Sequence, residues 1–240
     1  MGIIFQKSHS WNLEPDDAVA VQNRLRLEIQ KFDRFSTPEE INFIGGTYAC
    51  VVQTERLLIA GGVVVLDYAK GMVIAEHQVI IREFDWMTPY SAEFLAFAHL
   101  PVIIECMQKL ETVPEITFVH GHGYAHPRAM GIATHLGILG GIPTIGCANK
   151  LLFGEAEDPP PVKGGYTFIK DAVGQVIGYA LTAKDKTKPI YVSAGNMVTL
   201  ELASDMVIRC CKKNRLPEPL RSAREVVKNM VGHMAEFEND

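Results

Sequence analysis

The chain has 240 residues, 48% of them apolar and 21% charged, which suits a sizeable folded core and excludes a disordered or low-complexity protein. With 23 Lys and Arg against 28 Asp and Glu the net charge is −5, so the surface as a whole is not the basic coat that general nucleic-acid binding requires, although a local basic patch stays open. Five scattered cysteines (Cys50, Cys106, Cys147, Cys210, Cys211), odd in number and without C-x-x-C spacing, argue against a disulfide framework or a Cys-based zinc site and for a reducing compartment.

The opening residues, MGIIFQKSHSWNLEPDD, are too polar for a secretory signal, and no apolar run approaches the roughly 18 residues of a membrane span; the expectation is a cytoplasmic protein without a membrane partner. Ser10 to Asp17 reads as a helix entry with acids at the amino end, followed by a helix over 18–32 whose Val21, Leu25 and Ile29 form one stripe for packing on a sheet. Residues 35–40 link it to three β-rich segments, 41–52, 57–67 and 72–82, joined by links short enough for hairpins. The middle segment, LLIAGGVVVL, is apolar almost throughout, as a strand covered on both faces should be.

After Trp86 the pattern turns helical, and Pro101 predicts a split into a short helix over 92–98 and a longer one from 101, with His99 at the break. A strand over 116–119, a Gly- and His-rich loop, a helix from Pro127 and a strand over 143–147 follow. Three of the eight histidines, His120, His122 and His126, crowd that loop, which makes it the expected site. Beyond the exposed FGEAEDPPPVKGG loop come a hairpin (166–169 and 176–182), a short strand (190–193), a helix over 199–212 capped by Thr199, an extended RLPEPLR segment at 215–221 and an acidic tail expected to fray. Three antiparallel strands followed by alternating helices and parallel strands predict one α/β domain over residues 1–240. Its expected form is a ribonuclease H-like mixed sheet with helices on both faces, its chemistry collected between the first strand and the one ending at His120.

Three stretches carry a family resemblance: PYSAEFLAFAHLP, VHGHGYAHPRAMGIATHLG and IPTIGCANKLLFG. They resemble the endonuclease V motifs PYIPGFLSFRExP, DGHGxxHPRxxGxASHxG and VPTIGVAKxxLxG, and WNLEPDDAVAVQNRL, SAGN at 193–196 and RLPEPLR are similar to further family segments. The resemblance to this family of deoxyinosine 3′ endonucleases spans nearly the whole chain. It implies a ribonuclease H-like enzyme that cuts DNA or RNA on the 3′ side of inosine with Mg²⁺ held by three acids, a lysine and a histidine.

At each of those positions this sequence departs. The first-strand aspartate aligns with Tyr48, the glutamate after the PYIP motif with His99, and the aspartate of DGHG with His120. The lysine aligns with Asn149, although Lys150 is adjacent, and the histidine with Asn196; the Ile-Pro-Gly wedge has become Ser91, Ala92 and Glu93. A hard dication prefers oxygen ligands and negative charge, so Mg²⁺ hydrolysis of the family type is not expected. His99 and His120 would suit Zn, Fe or Cu, or acid/base work, or else merely hydrogen-bond each other or Tyr48 in a filled cleft. His122, His126 and His135 match family histidines and are read as loop-holding.

Tyr90, Glu93, Leu95, Gly121, Gly123, Gly131 and Lys150 are the residues expected to face a substrate, Tyr90 by stacking and the glycines by letting a base approach the backbone. Asp85 and Glu93 would repel phosphate, Arg215 and Arg221 would contact a backbone or stay solvated, and Cys147 reads as a small apolar filler. Three functions follow. The first is an endonuclease V-like protein without the nuclease site that still binds nucleic acid or a partner. The second is an enzyme that uses His99 and His120 on a small-molecule substrate, and the third an inosine-directed endonuclease of DNA repair or RNA cleavage.

Overall fold

A computed structural model describes residues 2–6, 8–53, 56–83 and 90–237, with side chains up to Gly232. Its centre is one eight-stranded sheet in the order β3-β2-β1-β4-β5-β8-β7-β6. The strands are β1 (Phe43–Gln53), β2 (Leu57–Asp67), β3 (Val73–Glu83), β4 (Ile116–His120), β5 (Thr144–Ala148), β6 (Tyr166–Lys170), β7 (Val176–Leu181) and β8 (Ile190–Asn196). β1 to β3 are an antiparallel meander, β4 and β5 run parallel to β1, and β8, β7 and β6 return antiparallel. The mixed sheet predicted from the order of elements is therefore present. The carboxyl ends of β4 and β5 open at His120 and Ala148.

Among the described residues the α-helices are α1 (Pro15–Leu25), α2 (Leu95–Gln108), α3 (Ile132–Gly140), α4 (Leu200–Cys210) and α5 (Glu218–Phe237). β2 shows why helices lie on both faces. Its Ile59, Val63 and Val65 enter the core shared with α2, while Val64 and Leu66 enter the core shared with α4 and α5. Between these sets stand Gly61 and Gly62. A Cβ on Gly61 would come within 2.3 Å of Val102 of α2, and one on Gly62 within 2.5 Å of Val227 of α5. The missing side chains let both helices close on the strand.

Four expectations change. The helix expected over 18–32 begins at Pro15, a residue suited to a first helical turn, and ends at Leu25 in a short 3₁₀ turn. It ends early because Gln30 is claimed by β8: its N–H donates to Asn196 Oδ1 (2.9 Å) and its carbonyl accepts from Met197 N–H (2.8 Å). Its stripe meets Met130, Ile138 and Leu139 around α3 and not a sheet.

Pro101 does not split α2. A proline inside a helix costs about 3 kcal/mol, whereas Phe97, Leu100, Val102, Ile103 and Met107 are all buried here, each worth roughly 1.5–3 kcal/mol. Burial wins, and His99 lies inside a continuous helix. The helix expected from Pro127 begins only at Ile132, because Gly131 N–H and Ala133 N–H first close the loop on the carbonyls of Gly123 and His122.

The fourth change is the largest. RLPEPLR is not extended throughout: α5 starts inside it at Glu218 and runs 20 residues, burying Leu220, Ala223 and Val227 on one stripe against β1 and β2. The tail expected to fray is helical in its backbone as far as Phe237, and residues 238–240 lie outside the described residues, as do Asp85 and Trp86. Thr199 caps α4 as predicted, its Oγ1 accepting the Leu202 N–H. Among the described residues no helix is long and apolar enough to cross a membrane.

Candidate functional site

The site is built where β1, β4 and β5 lie side by side. β1 places Tyr48 and β4 ends in His120, and the two rings lie 5.3 Å apart. Beyond the end of β5, Asn149 brings its amide Nδ2 to 3.1 Å from His120 Nε2. The amide oxygen of Asn149 accepts from Arg215 Nη2, and Arg215 Nη1 is anchored on the Pro189 carbonyl at 2.9 Å. From α2, His99 meets the Tyr90 hydroxyl through Nε2 at 3.1 Å. α5, the helix that sequence reading missed, adds Arg224, whose guanidinium stands close enough to the Tyr48 hydroxyl to favour the ionised phenol.

Gly121 allows this loop its shape. Its φ of +143° disfavours any side chain, and a Cβ would come within 2.4 Å of Ile132. Gly123 and Gly131 are equally closed, against the carbonyls of Ala194 and His122, so both read as close-packing positions in the loop. Leu95 opens α2 beside Gly121, Tyr90 is exposed, and Lys150 is exposed at the rim with its carbonyl accepting from His122 Nε2 at 3.0 Å.

The imidazoles are uncharged. Burial, with His120 as a smaller cause, pushes His99 down to about 3. Burial and then the Arg224 charge bring His120 down to about 4. Burial raises the Tyr48 phenol above its ordinary value, more than Arg224 lowers it. A neutral His120 with Nε2 accepting from Asn149 carries its proton on Nδ1. Among the described residues no three His, Cys, Asp or Glu side chains converge anywhere, and the two Nε2 atoms of the expected metal pair are occupied by Tyr90 and Asn149.

Other expected residues fall elsewhere. Asn196 is paired with Thr144 at the amino end of β5, the far end from His120, and is buried there, bonding the Gly137 carbonyl and Gln30 N–H. It holds α3 and the end of α1 to the sheet. Glu93 does not reach the site: its carboxylate pairs with Arg128 at 2.9 Å, and its carbonyl accepts from Gln22 and His126. Arg221 is tied to Glu218 and Glu225 within α5.

His122 and His126 hold the loop as expected, and the buried His135 places its Nε2 2.7 Å from Nε2 of the partly buried His9. Cys147 is buried in the core, its thiol raised first by burial. Arg224 was missed because the prolines of RLPEPLR obscured the helix; the Leu220, Ala223, Val227 spacing was the available signal.

The family model described as Endonuclease V matches residues 23–225. An endonuclease V from Gloeobacter violaceus is 37% identical over 217 residues, covering 90% of this chain and 85% of its own. The crystal structure of the Bacillus subtilis Endonuclease_V is 29% identical, with a TM-score of 0.89 and 100% of both chains covered. The Ciona intestinalis endonuclease V, solved in complex with a 24mer DNA containing an inosine followed by a ribo-adenosine, is 24% identical with a TM-score of 0.78. It covers 91% of this chain and 98% of that one and shows a shared fold.

Proposed function

Because this chain belongs to the endonuclease V family, we propose that it keeps a nucleic-acid-binding scaffold over residues 1–240 and has lost the Mg²⁺-dependent nuclease site. The observation that carries the reading is the donor set. Mg²⁺ takes about six oxygens in near-octahedral geometry and is served by carboxylates. Tyr48, His99, His120 and Asn149 supply a protonated phenol, two neutral imidazoles and an amide, with the guanidiniums of Arg215 and Arg224 beside them. These residues do not fit the ion.

What supports nucleic-acid binding is the shared fold with the Ciona intestinalis protein held on inosine-containing DNA, together with the exposed Tyr90 and Lys150 flanking the loop. In this reading Tyr90 and Leu95 shape the base-facing side over a loop that Gly121, Gly123 and Gly131 let close, Lys150 the backbone-facing side, and Glu93 acts only through Arg128. A Zn, Fe or Cu centre would need both imidazoles to leave Tyr90 and Asn149, which weighs against the small-substrate enzyme.

The test is incubation of a labelled inosine-containing oligonucleotide with the purified protein and Mg²⁺. Salt-sensitive binding with the strand left intact is the expected result. Cleavage above a mock preparation would restore the nuclease reading, and stoichiometric Zn, Fe or Cu that disappears on His99→Ala would replace it with the metal-enzyme reading.

A further inference from the structure

We propose that the cluster of Tyr48, His120 and Asn149 is an oxyanion site that holds a phosphate group directly, with Arg224 and the Asn149 amide as its donors and Arg215 as the brace behind Asn149. The inference deepens the nucleic-acid reading above by assigning the groups that take the phosphate.

Three features of the cluster carry it. The first is charge. The ion pairs among the described residues commit Glu93 to Arg128 and Glu218 and Glu225 to Arg221, whereas Arg215, Arg224 and Lys150 pair with no carboxylate. In a protein of net charge −5, this corner holds Arg215 and Arg224 outside any ion pair among the described residues, while the nearby Glu218 and Glu225 are taken up by Arg221. Such a corner repels a metal ion and attracts an anion.

The second is orientation. Arg215 grips the Asn149 oxygen and is itself fixed on the Pro189 carbonyl, so the amide presents its N–H₂ in one direction. One of those hydrogens goes to His120 Nε2, and the other is left on an exposed residue. The third is accessibility. Arg224 is an exposed residue of α5 that forms no ion pair among the described residues and lies close enough to Tyr48 and His120 for its charge to act on both, so its N–H groups can donate to two oxygens of a phosphate. The site thus supplies positive charge from the chain itself.

Orthophosphate and then a short single-stranded inosine oligonucleotide are the probes, both in EDTA and each against Arg224→Gln and Arg221→Gln. Arg221 serves as the control, because it removes the same charge from the same helix while its partners are Glu218 and Glu225. Orthophosphate is expected to shift the Asn149 side-chain amide resonances at matched ionic strength, with roughly tenfold weaker binding in Arg224→Gln and less than twofold change in Arg221→Gln. For the oligonucleotide, Arg224→Gln should reduce the slope of log affinity against log salt by about 0.7.

An absent phosphate shift, a requirement for Mg²⁺, or equal losses in the two variants would overturn the proposal. Phosphate binding as described with no oligonucleotide binding would sustain the oxyanion site and sink the nucleic-acid reading instead. Thermal melting of both variants checks that each is folded.

Discussion

An imidazole at position 120 whose Nε2 already accepts from Asn149 has no lone pair left for a cation, and a phenol at position 48 held above its ordinary pKa supplies no negative charge. On the proposed reading, the side chains at positions 48, 99 and 120 reverse the preference of this cluster. The reversal is testable by undoing it: Tyr48→Asp, His99→Glu and His120→Asp together are expected to lower the melting temperature in EDTA, because half-buried and buried acids lose hydration. Mg²⁺ or Mn²⁺ should then raise the melting temperature of the triple variant in proportion to bound ion. Differential scanning fluorimetry with and without metal reads both effects. An equal metal-induced rise in the unmodified protein would show that the present side chains already serve the ion.

α2 and α5 clamp β2 between them, and each contact is set by a small residue. Gly61→Val would force a side chain into Val102, and the expected overpacking penalty is about 1–3 kcal/mol, seen as a lower denaturation midpoint. An unchanged midpoint would mean that α2 shifts at little cost. The opposite sign is expected for Pro101→Ala. The helix already runs through position 101 on the strength of its buried face, so restoring an N–H and removing the ring clash should stabilise by up to about 3 kcal/mol. A lower midpoint in that variant would show that the proline ring itself packs.

Across the whole molecule, His99, His122, His126 and His135 are buried and His120 is partly so, and burial lowers every one of them below the ordinary imidazole value of 6.5. In the unfolded chain these rings take up protons as pH falls below about 6.5; in the folded chain His99 and His126 wait until about 3, and His120 and His122 until about 4. The unfolded state binds more protons across that window, so stability is complete above pH 6.5 and declines as pH drops toward 4. Each such ring contributes up to about 1.4 kcal/mol per pH unit. Urea titrations at pH 7.5, 6.5 and 5.5 should give falling midpoints, and His126→Asn should flatten the decline. A midpoint independent of pH over that range would mean that the rings are protonated in the folded protein.

The linear sequence by itself determined the order of the strands, the doubly covered β2, the Thr199 cap and the family. Each of these is written in local periodicity, turn residues or contiguous motifs, which survive without knowledge of neighbours. It also pointed to Tyr48, His99, His120 and Asn149, because each lies within a few residues of a motif. Tertiary structure alone decided what those residues meet. Asn196 is a motif position that antiparallel pairing carries to the far end of β5, and Glu93 is an acid that Arg128 holds away from the site. Arg224 comes near Tyr48 from a helix 176 positions downstream, a meeting that no spacing within the chain encodes. Charge acts through space and not along the chain, so the sign of the pocket is set by the residues that folding delivers to it.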